Sequence, residues 1–391
     1  MSKATMLQEA GNLTELMKLA AIVDDPVAHV HIYTELCKGY VRSGDVVGAE
    51  RIVLHDMAAR GLTPTASNFA VLIRAYAFEG RPDEANRIVS RMLSYKIEPD
   101  NRCVSMLVKS HAVAGDLDAA CKLIQNAPLL YGTEVTPRAY EAVYMAYAAA
   151  ADYPRALHWI KVMYHTTTRL RYGPIVRIAA AMPLEALEAL VDLLSNEFGL
   201  CPPLGVWMLL LVKYHDARHG EDAYNLAHHI LDMRLSLNLK NYKAIMNVLA
   251  FVGDVSAVYN ALTMLVDDGL SPDKCILAIV LKAHNNAQSD SGLARQTWQR
   301  ARAAGVEPDE RCYYLMFRIL AWNKSTTESH AIGLFTACLK RNMFNQHVAK
   351  SALWCAATHR FRRLANLVDR AYTADFGAHT PATLKPLMRL A

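Results

Sequence analysis

The sequence predicts an all-α protein, a solenoid of about ten helix–turn–helix repeats. Three observations carry that expectation. A proline-bearing phrase returns along the chain: "GLTPT" at 61–65, "YKIEPD" at 95–100, "GLSPD" at 269–273 and "GVEPD" at 305–309. Apolar residues recur at helical intervals between these phrases. No stretch stands out that alternates apolar and polar residues as a half-buried strand does.

The spacing of the phrase gives the repeat length. Pro64 and Pro99 are 35 residues apart, and Pro272 and Pro308 are 36 apart. Pro202 to Pro272 is 70 and Pro308 to Pro381 is 73, each about two periods. A Pro shortly after a helix end cannot continue that helix, and Gly just before it suits a left-handed cap. The phrase therefore closes each repeat.

The first helix of each repeat shows an apolar stripe at i, i+3, i+4 and i+7. In chain order the clear copies are Tyr33-Leu36-Cys37-Tyr40, Phe69-Leu72-Ile73-Tyr76 and Tyr140-Val143-Tyr144-Tyr147. Trp207-Leu210-Leu211-Tyr214, Tyr242-Ile245-Met246-Leu249 and Tyr313-Met316-Phe317-Leu320 continue the series. Weaker copies start at Val104, Tyr172, Leu277 and Lys350. A break follows, as in "SGD" (43–45), "EGRPDEA" (79–85), "AGDLDAA" (114–120) and "VGDVSAV" (252–258). Pro82 suits a first helical position, and Asp83 and Glu84 favour the positive end of the helix dipole. Ala85, Ile88, Val89 and Met92 then mark a second helix.

Composition narrows the class. Apolar residues make up 53% and charged residues 20% of the 391, which is globular. No apolar run approaches the ~18 residues of a membrane span. The eight cysteines form no CxxC pair, which argues against a zinc ribbon and suits a reducing compartment. A formal charge of +5 permits an anionic partner without demanding one. Residues 1–28 hold no Arg and four acidic residues, unlike an organellar transit peptide.

The order aromatic, Leu-Ile, Gly, Asp-Glu-Ala, Met, Pro-Asp in "NFAVLIRAYAFEGRPDEANRIVSRMLSYKIEPD" resembles the pentatricopeptide repeat. The resemblance covers about residues 29–373, with 1–28 an N-terminal cap or partial repeat and 374–391 a C-terminal cap or truncated repeat. It implies a right-handed superhelix whose first helices line a groove for single-stranded RNA. It also implies an organelle, most naturally the mitochondrion. In this family the residue after the first-helix aromatic and the final Asp-like residue choose a base, and an aliphatic residue two before the aromatic clamps it.

Carried over, the residues after the aromatic include Thr34, Ala70, Ser105, Lys243, Ala278 and Tyr314, and the final acids are Asp100, Asp273 and Asp309. Ala70, Lys243 and Ala278 stand where the family favours Asn, Thr or Ser. His31, Ser67, Arg102, Lys240, Cys275 and Arg311 stand at the clamp. These departures argue for weak base reading.

A charge pattern stands beside the resemblance. With the aromatic at position 0 and about 100° per residue, the stripe lies within about 60° of it, whereas positions +1, +5 and −2 fall near 100°, 140° and 160°. Position +5 reads Lys38, Arg74, Lys109, Met145, Arg177, Val212, Asn247, Lys282, Arg318 and Cys355. Six of these ten are basic, against 42 of 391 in the whole chain, which would give about one. Arg102 and Arg311 add charge on the same side. Stacked repeats would turn these residues into a ladder of cations, the form a phosphate backbone needs; a solvated helix face is the plainer reading.

Other chemistry finds little support. His215 and His219 sit at i, i+4, a spacing that can hold zinc on a helix, but no third ligand is evident. No phosphate loop, nucleophile elbow or nuclease-like acidic set occurs. The expectation is a non-catalytic RNA-binding protein without metal or cofactor, acting on the ribosome, in its assembly or in RNA processing. Its partners would be single-stranded or ribosomal RNA and other proteins of a ribonucleoprotein complex, with no membrane and no small-molecule substrate. The alternative is a protein-docking scaffold that touches little RNA.

Overall fold

A computed structural model describes residues 13–22, 26–167, 169–289 and 291–376. All regular structure among them is helical. A leading helix, α1 (Leu13–Ile22), precedes ten helical hairpins. The expected N-terminal cap lies partly, and the C-terminal cap largely, outside the described residues.

The first unit of the chain, Met1–Pro203, holds five hairpins. Their first helices are α2 (Pro26–Arg42), α4 (Ala66–Glu79), α6 (Asn101–Ala114), α8 (Pro137–Ala149) and α10 (Tyr172–Ala181). Their second helices are α3, α5 (Pro82–Ser94), α7 (Leu117–Tyr131), α9 (Tyr153–Thr167) and α11. Helix α3 runs Val46–Arg51, widens into a π-turn at Ile52–Asp56 and closes over Met57–Ala59; α11 likewise passes from Leu184–Asp192 into a π-turn at Leu193–Glu197.

The second unit, Leu204–Ala391, holds five more. The first helices are α12 (Leu204–Asp216), α14 (Leu239–Val252), α16 (Lys274–Ala287), α18 (Glu310–Trp322) and α20 (Gln346–His359). The second helices are α13 (Gly220–Asp232), α15 (Val255–Asp267), α17 (Ser291–Ala303), α19 (Glu328–Lys340) and α21 (Arg362–Phe376). In both units successive first helices pack on one another, α4 on α6 and α18 on α20 among them.

The stripes form the core. Phe69, Leu72, Ile73 and Tyr76 are buried, as are Tyr313, Met316, Phe317 and Leu320. Burying one such side chain fully contributes about 1.5–3 kcal/mol, so a four-residue stripe supplies most of what holds a repeat to its neighbour.

The closing phrase is a two-part device. Gly61, Gly269 and Gly305 adopt φ of 68°, 76° and 82°, and Lys96 takes the same left-handed position at 57°. The residue after Pro is an N-cap: Asp100, Asp273 and Asp309 accept from the backbone N–H groups of Cys103, Ile276 and Cys312. Asp45, Asp116 and Asp254 cap the second helices in the same way. Gly253, at φ 87°, permits close approach, since a Cβ there would lie 3.0 Å from the backbone nitrogen of Ala287.

Two repeats differ in register from the sequence reading. In α10 the stripe is Ile175, Ile178, Ala179 and Met182, all buried, whereas Tyr172 is exposed. In α20 it is Ala349, Ala352, Leu353 and Ala356, and Lys350 is exposed. An aromatic at a helix start, and a stripe dominated by small alanines, misdirect a pattern that looks for bulk. Arg177 therefore stands at +2 of its repeat, and Trp354 replaces the buried Cys355 at +5.

Candidate nucleic-acid interface

On a first helix the stripe faces its neighbours, so residues about half a turn away face out of the core. In the first unit these residues line two adjoining cavities. One, of about 860 Å³, is walled by Lys38, Arg74, Arg102, Arg138, Arg169 and Arg171, with no carboxylate in its wall. The other, of about 850 Å³, is walled by Arg74, Lys109, Arg138, Arg171 and Arg177, with Glu141 its one acidic residue.

The charge on this wall is largely uncompensated. Among the described residues Arg74, Arg102, Lys109, Arg138, Arg169 and Arg177 make no ion pair with a carboxylate; Lys38 reaches Glu35 at 2.8 Å and Arg171 reaches Glu141 at 3.3 Å. The crowding is felt chemically. Burial, and then the charges of Arg138 and Arg74, lower the Lys109 pKa below its ordinary value. Burial pushes the Glu141 carboxyl up, against the opposing pull of Arg171, Arg138 and Arg177.

In the second unit Lys282 donates to Asn247 Oδ1 at 2.9 Å, and Arg318 donates to Asn285 Oδ1 at 3.1 Å and to the Tyr314 hydroxyl at 2.8 Å. Neutral acceptors orient these cations and leave their charge in place. Burial, then Arg311, lowers the Lys282 pKa. Arg311 and Tyr314 share a cavity of about 420 Å³ with His347, and Arg318, Lys350 and Trp354 wall another of about 320 Å³.

The expected base-facing positions are largely closed. Thr34, Ser105 and Ala278 are buried. Asn68 donates to the Thr34 hydroxyl at 3.0 Å, and the Thr136 backbone N–H donates to Ser105 Oγ at 2.9 Å. Lys243 pairs with Asp273 at 2.5 Å, and Glu141 pairs with Arg171. Thr136, Arg171 and Asp273 are all N-caps of the following first helix. In these repeats the two positions that would meet a base meet each other. Ala70 offers no polar group, and Asp100 and Asp309 spend an oxygen on capping.

Sequence reasoning missed Arg138, Arg169 and Arg171. Arg138 stands at −2, the position that Arg102 and Arg311 hold in their own repeats, so the pattern was available. Arg169 and Arg171 come from the segment before α10, whose register the sequence obscured. His215 and His219 do not share a helix: α12 ends at Asp216, and His219 is the N-cap of α13. The His215 ring packs edge-on against Phe251 instead. Among the described residues no group of three ligands suited to a metal occurs, and no helix is long and apolar enough to cross a membrane.

Successive helical hairpins, with basic residues on the outer face of first helices, define a helical repeat architecture of the α-solenoid class. A family model described as the pentatricopeptide repeat domain matches residues 52–109. A mitochondrial pentatricopeptide repeat-containing protein of Arabidopsis thaliana is 23% identical over 176 residues, 36% of this chain and 26% of that protein. A chloroplastic one from the same plant is 27% identical over 115 residues, 29% of this chain and 14% of that protein. The chain thus spans about a quarter or less of the length of these curated relatives. Among solved structures, the pentatricopeptide repeat protein PPR10 from maize covers 99% of this chain and 59% of its own, at 15% identity and a TM-score of 0.48. Yeast Rmd9p in complex with a 16-nt target RNA covers 99% of this chain and 93% of its own, at 10% identity and a TM-score of 0.39. Residues 52–109 thus match the pentatricopeptide repeat domain, and the chain is similar to pentatricopeptide repeat proteins.

Proposed function

We propose that this protein holds single-stranded RNA along the outer face of its first helices, mainly by the phosphate backbone and without catalysis. The observation that carries this reading is the largely uncompensated basic wall of the first unit, with Arg74 and Arg138 shared by both cavities. Cations that have no carboxylate partner gain most from a phosphate, because nothing must be broken first. The self-paired Lys243–Asp273 and Ser105–Thr136 positions agree with binding that reads little sequence. The relatives named above are mitochondrial or chloroplastic, which supports an organellar site of action; the mitochondrion, and a place on the ribosome, in its assembly or in RNA processing, are the finer form of the proposal. Its partners are then ribosomal or other single-stranded RNA and neighbouring proteins of a ribonucleoprotein complex.

The test is binding of a labelled, unstructured RNA across a salt series. Four to six phosphate contacts at a slope of about −0.7 each predict a log–log slope of roughly −3 to −4. The RNA should remain uncut when magnesium is added. No binding at low salt would overturn the proposal in favour of a protein-docking scaffold. That second reading has one observation of its own: Leu129 and Leu130, near the end of α7, are 87% and 62% exposed.

A further inference from the structure

Two phenylalanines on the basic face lie largely outside the core packing. Phe78 is 64% exposed and Phe251 is 58% exposed, whereas the stripe aromatics of the same helices, Phe69 and Tyr242, are buried. Both stand nine residues after the stripe aromatic, about 180° from it, on the line of the cations. In both, the +5 lysine of the next repeat, 31 residues later, reaches over the ring. Lys109 Nζ lies 3.3 Å from the Phe78 centroid, and Lys282 Nζ lies 5.5 Å from the Phe251 centroid. The same pairing thus occurs independently in each unit. Phe78 also lines the 850 Å³ cavity beside Arg74 and Lys109.

An exposed phenylalanine costs the folded chain apolar surface in water, and a lysine, joined at Phe251 by the edge-on His215 ring, covers only part of it. The missing cover must be flat, tolerant of nearby cations and carried by something anionic. We propose that Phe78 and Phe251 are base-stacking platforms, each taking one unpaired nucleobase while Lys109 or Lys282 takes the adjoining phosphate. The pair is a nucleotide-sized site in which the ring meets the base and the ammonium meets the backbone. Stacking needs no particular base, because every base has a π-face. The platforms therefore add affinity where the buried +1 positions add little selectivity. This inference rests on the RNA-binding reading above.

The experiment compares oligoadenylate with an abasic ribose-phosphate oligomer of equal length, by anisotropy with the full chain. Phe78→Ala and Phe251→Ala should each weaken oligoadenylate binding about five-fold or more. Binding of the abasic oligomer should not change, since its phosphates are intact. Phe78→Trp should bind at least as tightly as the parent, and Phe78→Leu should behave like Phe78→Ala. Circular dichroism should be unchanged, as neither ring is in the core. Parent-like binding by Phe78→Ala or Phe78→Leu, or equal loss on both oligomers, would overturn the stacking role and leave phosphate binding standing. Failure of the parent to bind either oligomer would overturn both.

Discussion

Lys243 and Asp273 close on each other across 30 residues, the ammonium of one repeat's +1 position against the carboxylate that caps the next first helix. Burial alone would raise the Asp273 carboxyl, but the bonds from Lys243 and from the Ile276 backbone N–H hold it below its ordinary value. In the reading scheme that the pentatricopeptide resemblance implies, these are the two groups that would face a base. Here the acid has two donors already, one for the helix and one from the lysine.

The first prediction follows from that closure. Selection from random RNA pools should return no motif longer than about two or three nucleotides. Lys243→Asn removes the ammonium, frees one Asp273 oxygen and creates the Asn–Asp combination that the family resemblance assigns to base reading. The variant should acquire a preferred base at one added position, at a stability cost of about 0–1 kcal/mol for a partly exposed ion pair. A sharp consensus already present in the parent would show that these positions read bases despite being paired.

Charge position, rather than net charge, is the second prediction. Reversing Arg74, Lys109 and Arg138 together to Glu should weaken binding of every RNA alike. It should also flatten the salt slope by about two units, since three cations no longer reach phosphates and each accounts for roughly 0.7. Reversing Arg91 and Lys122, exposed on second helices, is the control. Equal losses in both sets would mean that the interface is not on the first-helix face.

Much of this was legible because helix packing writes bulk and punctuation into sequence. Phe69 and Tyr313 mark their stripes by size, and the Gly and Pro of "GVEPD" mark a left-handed turn and a stop. Repeats with Ile175 and Ala349 at the same position lost their register, since neither a short helix nor a run of alanines signals itself. That Arg74 on α4 and Lys109 on α6 share one face was legible because the helical period fixes it. Arg169 and Arg171 reach the same wall from outside a first-helix stripe, where no periodicity points. That Ser105 and Lys243 would turn to the neighbouring cap was not legible, because the partner lies about one repeat away. The Phe78–Lys109 pairing was hidden for the same reason.

A third prediction concerns how neighbouring repeats are joined. Glu50 on α3 accepts from Tyr76 Oη at 2.6 Å and from both terminal nitrogens of Arg87 at 2.6 and 2.7 Å. The Arg87 bonds, set against burial and aided by Tyr76, hold the Glu50 carboxyl below its ordinary value. A depressed carboxylate contributes stability above its unfolded pKa and loses it as pH falls through the folded one. Glu50→Gln should therefore destabilise by about 1–3 kcal/mol at pH 7, with the gap to the parent narrowing below about pH 4. Denaturant melts at pH 7 and pH 3 check this. RNA affinity at saturating fold should not move, because Glu50, Tyr76 and Arg87 line neither basic cavity; a parallel loss of affinity would tie the cluster to the interface.

Glu141 carries the fourth. It is the one carboxylate in the basic wall of the first unit; its Oε2 accepts from Arg171 and its Oε1 is buried without a hydrogen-bond partner. Burial raises its pKa despite three nearby arginines, so here the sign is opposite to that of Glu50. A raised carboxyl favours the folded state when protonated, and that contribution disappears as pH rises through the folded value. At neutral pH the ionised group is a cost to folding and a repulsion toward phosphate. Glu141→Gln keeps the shape and an acceptor for Arg171 while removing the charge. The variant should be at least as stable as the parent at pH 7 and bind RNA up to about five-fold more tightly, the size of a charge interaction of about 1 kcal/mol at 4 Å in water. Parent affinity should climb toward that of the variant as pH falls toward the ordinary carboxylate range, because the parent loses the same charge by protonation while RNA phosphates stay ionised. Weaker binding by Glu141→Gln at every pH would mean instead that the ionised Glu141 is needed to aim Arg171 into the cavity, and that the repulsion is the smaller effect.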